Sequence, residues 1–216
     1  MKTQQLTKLL NWFNDKDSVL VALSGGVDSA LVAYSAYMKL GKSATAVTAD
    51  YKTLAQEELE YAKKISSEIG IKHIVIEYNE LANESFVKND SNRCFYCRSE
   101  LSEHLLQIAK ESEIGIIVDG TNIDDLGDYR PGILALHQNG IRSPLAETGF
   151  SKKIVREQLK ALDCRFMTSP LTPVLRHVFL GGKVLLLKDW LELKLAKKLS
   201  NNLQELNKYV SEIWMV

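Results

Sequence analysis

Apolar residues along this chain alternate between short unbroken runs and spaced stripes. Val19 to Leu23 is a continuous apolar run, and Ser43 to Ala49, Lys72 to Glu77 and Gly115 to Val118 read as three further strands. Runs of this length predict strands, and a wholly apolar one such as Ile116-Ile117-Val118 predicts a strand buried on both faces. Between them the apolar residues are spaced three and four apart. Leu6, Leu9, Leu10 and Phe13 share one helical face within Met1 to Lys16. Gln56 to Glu68 reads as a charged amphipathic helix stopped by Gly70, and Arg98 to Glu111 as a helix with Leu101, Leu105 and Ile108 inward. Ser151 is placed to cap a last helix running to about Leu162. Strand and helix in alternation predict an α/β fold, a parallel sheet with helices on both faces and ligands at the carboxyl ends of the strands.

The rhythm stops after Leu162. Residues 163–216 are dense in leucine, and Val184 to Tyr209 keeps no single apolar stripe. This tail holds 8 basic and 5 acidic residues against 19 and 22 in residues 1–162. We therefore divide the chain into a domain over 1–162 and an atypical tail over 163–216, expected to be poorly packed or irregularly helical. The whole chain is balanced, with 27 Lys+Arg and 27 Asp+Glu in 216 residues. That balance gives no electrostatic case for nucleic acid or a membrane surface. No apolar run approaches the roughly 18 residues of a membrane span, and no signal peptide is visible. The three cysteines, Cys94, Cys97 and Cys164, make no disulfide framework, so the expected setting is a reducing cytoplasm.

Ser24-Gly25-Gly26-Val27-Asp28-Ser29 joins the first strand to a helix beginning Ala30-Leu31-Val32. A strand, a glycine turn and a helix N-terminus together bind anions, because free N–H groups and the positive end of the helix dipole converge there. Ser24 and Ser29 add hydroxyls, and Asp28 is placed to hold magnesium beside phosphates. The loop lacks the lysine of a Walker A motif and the third glycine of a dinucleotide fingerprint. Asp119-Gly120-Thr121-Asn122 follows the buried fourth strand and is expected to face the same cleft, with Gly120 allowing close approach, Thr121 and Asn122 offering hydrogen bonds, and Asp124 and Asp125 able to help bind magnesium. Asp50 and Tyr51 end the second strand, where a base or ribose would sit. Arg130 and Arg142 suit a bidentate grip on phosphate or carboxylate. Their alternative is surface pairing with Asp128 and Glu147. The four histidines show no ligand-like spacing. Cys94-Phe95-Tyr96-Cys97 precedes the Arg98–Glu111 helix, where Arg93, Arg98 and the helix N-terminus would favour thiolate; such a pair can take zinc or an iron–sulfur cluster, or act as a redox pair.

The glycine loop resembles the PP-loop of ATP pyrophosphatases, which split ATP between the α and β phosphates. With Arg93-Cys94-Phe95-Tyr96-Cys97-Arg98, Asp119-Gly120-Thr121-Asn122, Asp128-Tyr129-Arg130-Pro131-Gly132 and Arg142-Ser143-Pro144-Leu145, residues 1 to about 162 resemble the LarE family of ATP-dependent sulfur transferases in nickel-pincer nucleotide biosynthesis. The resemblance implies an enzyme that adenylates a nicotinate-derived mononucleotide carboxylate with ATP and Mg2+. Sulfur then displaces AMP. It implies ATP contacts at Ser24, Gly25, Gly26, Asp28, Ser29, Asp50, Gly120, Thr121, Asn122, Arg130 and Arg142, magnesium at Asp28 and Asp124, sulfur chemistry at Cys94 and Cys97, and a symmetric homo-oligomer. Some members sacrifice a cysteine; others carry a CxxC with a third cysteine and hold a 4Fe-4S cluster, and this chain's CxxC places it with the latter. A tRNA thiolase or an ammonia-dependent synthetase is the alternative within the superfamily. The acidic balance of residues 1–162 speaks against the first, and a synthetase has no need of Cys94 and Cys97. A non-catalytic nucleotide-binding remnant is the other alternative.

The family's third cysteine lies in a segment like Pro-Cys-Leu-Ala-Ser-Arg, which residues 163–216 do not contain. Read one frame across, from the last base of the Asp163 codon and with permitted codon choices, the tail encodes LPVYDKPADPCLASRFPWGEGITLERL. That peptide carries the missing motif. One insertion or deletion near codon 162 is the expected cause. Cys164 is then an accident of the shift, and sulfur transfer is expected to be impaired while ATP binding survives.

Overall fold

In a computed structural model, residues 2–51, 56–83, 86, 92–127 and 130–162 are described. The expectations for Asp128, Tyr129 and the 163–216 tail, Cys164 included, lie outside the described residues. The elements are α1 (Lys2–Trp12), β1 (Val19–Ala22), α2 (Val27–Leu40), β2 (Ala44–Tyr51), α3 (Gln56–Ile69), β3 (Lys72–Tyr78), α4 (Arg93–Glu111), β4 (Ile117–Val118), α5 (Pro131–Gln138), α6 (Pro144–Glu147) and α7 (Lys152–Ala161). Short 3-10 turns occupy Gly41–Ser43, Glu80–Ala82 and Ile123–Leu126.

The four strands pair in parallel in the order β3-β2-β1-β4. Alternate residues of β1 point to opposite faces, and each face meets its own helices. Val19 and Val21 join a core with Leu9, Phe13, Leu31, Ile65, Val155 and Leu159, which brings α1, α2, α3 and α7 onto one face. Leu20 joins Val47, Leu101, Leu105, Ile117 and Leu136, so α4 and α5 cover the other. Ile117 and Val118 are buried on opposite faces, as the unbroken apolar run of β4 requires.

The chain leaves β1 for β2 and then β3 on one side, and returns to place β4 on the other side of β1. The crossovers therefore reverse between β1 and β4. In a parallel sheet that reversal opens a crevice above the carboxyl ends of the two strands. The loops after β1 and β4 are the two segments chosen from the sequence for phosphate binding, and the strand order brings them together.

Two boundaries differ from the sequence reading. α2 begins at Val27, one turn earlier than its apolar pattern, so Asp28 and Ser29 are in the helix itself. α4 begins at Arg93, so Cys94 and Cys97 lie in its first turn rather than before it. The N–H groups of Phe95 and Tyr96 donate to the Asn92 carbonyl at 2.8 and 3.1 Å, which starts the helix without any apolar stripe to announce it.

Candidate nucleotide and sulfur site

The glycine loop is held from below and from the side. Leu23 donates its N–H to the Val47 carbonyl at 2.8 Å, and the Thr48 hydroxyl donates to the Leu23 carbonyl at 2.7 Å. Gly25 has φ +77°, and a Cβ there would stand 2.6 Å from the Glu58 carbonyl oxygen of α3. Only glycine fits this left-handed and crowded position. Gly26 is the N-cap of α2 and makes no side-chain capping bond, which leaves the helix N-terminus open to an anion.

The serines shape this loop. The Ser29 hydroxyl donates to the Gly26 carbonyl at 3.0 Å and accepts from the Ser24 N–H at 3.2 Å. Ser24 is exposed, and its hydroxyl lies 3.2 Å from that of Ser29.

Gly120 docks against the loop from β4. A Cβ on it would sit 2.6 Å from the Ser29 nitrogen and 2.9 Å from its Cα. Asn122 is fully buried. Its Oδ1 accepts from the Asp124 N–H at 2.9 Å, while its Nδ2 has no hydrogen-bond partner among the described residues. A buried amide donor without an acceptor is costly, and a bound ligand would satisfy it. Thr121 is less available than the sequence suggested. Its hydroxyl donates to Asp119 Oδ2 at 2.5 Å, and Asp119 Oδ1 also accepts from the Ser143 hydroxyl at 2.7 Å. His137 lies 3.2 Å from that hydroxyl. This network fixes the turn after β4.

Asp28 carries a marked electrostatic signal at the glycine loop. Its side chain is 18% exposed, and burial pushes its carboxyl up to about 6 against the opposing pull of Lys152. Asp125 pushes it further up, and Arg156 pulls it down. Oδ2 lies 3.7 Å from the Lys152 ammonium, and the buried Oδ1 has no partner among the described residues. No three potential ligands gather into a metal cluster among those residues. A magnesium ion that takes most of its oxygens from phosphates and water needs only one or two carboxylates, so Asp28 Oδ1 fits it. Asp124 is committed elsewhere: its Oδ2 accepts from the Lys152 backbone N–H at 2.8 Å.

The two arginines are paired. Arg130 reaches Asp125 Oδ1 at 2.5 Å, while the pairing with Asp128 lies outside the described residues. Arg142 binds Glu147 through both Nε, at 2.8 Å, and a second guanidinium nitrogen. Its guanidinium carbon lies 5.2 Å from the Trp12 ring centre, and Trp12 donates to Glu147 at 2.8 Å. Arg142 thus ties β4 to α1 through the salt bridge that was the alternative reading. A surface depression lined by His137, Arg142, Ser143 and Glu147 lies apart from the glycine loop.

Asp50 is half-buried at the end of β2, beside the strand that leads to the loop. Tyr51 is 5% exposed and packs 5.8 Å from Tyr78, which stacks on His104 at 4.5 Å.

Cys94 and Cys97 form no disulfide and share one face at the start of α4. The expected thiolate is not what the fold prepares at Cys97. Burial pushes that thiol up to about 12, outweighing the pull of Arg98, and Glu80, whose Oε2 lies 3.9 Å from the sulfur, adds to the rise. Among the described residues no third sulfur stands beside the pair. Two cysteines do not complete the ligand set of a 4Fe-4S cluster.

The queuosine biosynthesis protein QueC family model matches residues 18–97. Among curated proteins, the chain is 43% identical over 183 residues to uncharacterized protein slr1717 of Synechocystis, covering 85% of this chain and 68% of that protein. It is 33% identical over 145 residues to the pyridinium-3,5-bisthiocarboxylic acid mononucleotide synthase of Lactiplantibacillus plantarum, covering 66% of this chain and 52% of that one. The chain thus spans about half to two-thirds of the length of these relatives. Among solved structures it is similar to the NMN synthetase of Francisella tularensis, with TM-score 0.64 at 21% identity over 85% of this chain and 79% of the other. It is also similar to the U34-tRNA thiolase NcsA of Methanococcus maripaludis with its 4Fe-4S cluster, with TM-score 0.59 at 17% identity over 81% and 69%. At these identities the structures establish the fold.

Proposed function

Because this chain belongs to the PP-loop ATP pyrophosphatases, in one family with slr1717 and homologous to the bisthiocarboxylic acid mononucleotide synthase, we propose that it adenylates the carboxylate of a nicotinate-derived mononucleotide, as the first half of an ATP-dependent sulfur transfer. The observation that carries this reading is the fit of Gly120 against the Ser29 backbone at the switch point, which brings the turn after β4 against the α2 N-terminus. The N–H groups of Val27–Ser29 at the α2 N-terminus receive the phosphates. Asp28 Oδ1 is the carboxylate oxygen for Mg2+, which when bound neutralises phosphate charge and makes pyrophosphate a better leaving group. Asn122 Nδ2 is a donor of fixed direction for the nucleotide.

Adenylation is the chemistry such a substrate needs, since a carboxylate would have to expel oxide while an acyl adenylate expels AMP. The sulfur half of the reaction falls to Cys94 and Cys97. A thiol that attacks an acyl group must first lose its proton. Burial raises the Cys97 thiol and so favours its protonated form in this conformation.

The test incubates the chain with Mg2+, ATP and the mononucleotide carboxylate and measures AMP and pyrophosphate. Release of both that depends on the carboxylate is expected. ADP and inorganic phosphate as products, or release indifferent to the carboxylate, would sink the reading.

A further inference from the structure

His73 is one of the four histidines without ligand-like spacing, and the proposed reaction leaves it unused. The fold sets it half-buried on β3, opposite Ala46 of β2, with its Nε2 2.8 Å from the Thr48 hydroxyl oxygen. That hydroxyl has one proton and gives it to the Leu23 carbonyl at 2.7 Å. It can therefore only accept from the imidazole, so Nε2 carries a proton and donates it. Burial and the Lys63 charge hold the ring below the ordinary histidine range, so near pH 7.5 it is neutral and Nδ1 is bare. The direction continues beyond Leu23. Its carbonyl and the Ser24 N–H belong to one rigid peptide plane, and that N–H donates to the Ser29 hydroxyl at 3.2 Å. The Ser29 hydroxyl in turn donates to the Gly26 carbonyl at 3.0 Å. Gly26 shares that peptide plane with the N–H of Val27, the first residue of α2. Every donor from the ring to the helix N-terminus points the same way.

We propose that His73 is a positioning residue for phosphate binding, acting through this one-way relay on the peptide planes of the glycine loop. Thr48 and Ser29 grip the Leu23–Ser24 plane from its two ends, and Ser29 also fixes the Gly26–Val27 plane. Gly25 and Gly26 lie between the two grips, and glycine has more backbone freedom to lose than any other residue. A loop built on such a pair needs holding from outside. The His73 N–H keeps the Thr48 proton turned to Leu23, and each bond of the chain polarises the next, which makes the Val27 N–H a better donor to an anion. The proposal rests on the ATP reading of the loop and deepens it. The grip on phosphate is tuned from the edge of the sheet, by a side chain on the far side of β2.

Nitrogen-15 NMR of the histidine-labelled, ligand-free chain at pH 7.5, with His73→Leu to assign the signal, reads the head of the relay. The neutral tautomer with its proton on Nε2 is expected. A proton on Nδ1 would make Nε2 an acceptor, reverse the relay and overturn the proposal. Calorimetric titrations of the wild-type chain, His73→Leu and His73→Gln with ATP and Mg2+, and with adenosine alone, read its far end. Loss of one hydrogen bond is expected to weaken ATP about threefold to tenfold in His73→Leu, with adenosine within about twofold of wild type. His73→Gln, whose amide can still donate to Thr48, should recover most of the loss. An unchanged ATP affinity in His73→Leu overturns the assignment. So does an adenosine affinity that falls with that of ATP, since a merely structural side chain would act on both ligands alike. Absence of ATP binding by the wild-type chain strikes the parent reading instead. The wrong tautomer in a wild-type chain that binds ATP strikes His73 alone.

Discussion

Gly120 and Ser29 meet backbone to backbone across the switch point: a Cβ on Gly120 would stand 2.6 Å from the Ser29 amide nitrogen. The contact atom is main chain at the start of a helix, so no side chain can rotate away to relieve it. Gly120→Ala is expected to push the glycine loop off the β4 turn, costing about 1–3 kcal/mol of stability as an overpacked site. ATP affinity should fall at least about tenfold, since the N–H groups that receive the phosphates move with the loop. Gly115→Ala is the control, because nothing lies within 4 Å of a Cβ there. Equal ATP affinities in the two variants would remove Gly120 from the site.

Asp28 is held at a cost in the metal-free protein. Its folded value of about 6 exceeds the unfolded 3.8, so between these values the folded state binds the proton more tightly. Stability from this group is thus present at low pH and lost as pH rises from about 4 to about 6. Asp28→Asn removes the buried charge. It is expected to stabilise the metal-free chain by about 2 kcal/mol at pH 7.5 and by almost nothing at pH 4, a difference of several degrees in Tm. The same variant should lose magnesium-dependent ATP binding. A lower Tm at pH 7.5, or a gain independent of pH, would contradict the electrostatic account. Stabilisation on removing a functional carboxylate is the usual sign of a strained site.

The legible part of this molecule was whatever one strand and its flanks could encode. Val19–Ala22 with the loop and α2, and the β4 run with Asp119–Asn122, each carry their own pattern, and a parallel sheet then fixes where their ends point. Contacts made across the fold were not legible. Arg142 could be read as an anion ligand or as a partner of Glu147, and Trp12, which shares that Glu147, lies too far away in sequence to decide between them. Lys152 belongs to no pattern read from the sequence, and only the packing of α7 against α2 brings it to Asp28. The early start of α4 was hidden because its first turn holds cysteines and aromatics without helical periodicity. Gly132 was read as part of a phosphate segment, yet a Cβ there would lie 2.9 Å from Arg98 Cγ and 3.1 Å from the Cys94 carbonyl. Its place is the α4–α5 contact, and Pro131 before it opens the helix.

Cys97 should be a slow thiol. A value raised from 9.0 to about 12 leaves far less thiolate near pH 8 than an ordinary cysteine carries. Alkylation of the metal-free Cys94→Ser variant with iodoacetamide at pH 8, followed by mass spectrometry at Cys97, is expected to run at least about 100-fold slower than that of a free small-molecule thiol. Glu80→Gln removes a negative charge that raises the value and should speed the reaction. A Cys97 that reacts as fast as the free thiol would show that the expected thiolate forms after all.

The reading of residues 163–216 as an out-of-frame tail makes a prediction about the gene. Shifted by one base from codon 163, the nucleotides should spell the LPVYDKPADPCLASRFPWGEGITLERL peptide, with its cysteine coded across Pro173 and Val174. The 43% match to slr1717 takes in 183 residues, more than residues 1–162 hold, so part of it falls within the tail. The nucleotide sequence decides between a shift and a divergent tail. If no frame restores the peptide, the shift is wrong. If one does, a chain expressed with the frame restored should regain sulfur transfer, and the present chain should release AMP and pyrophosphate without it. A present chain with full sulfur turnover would show that Cys94 and Cys97 need no third cysteine.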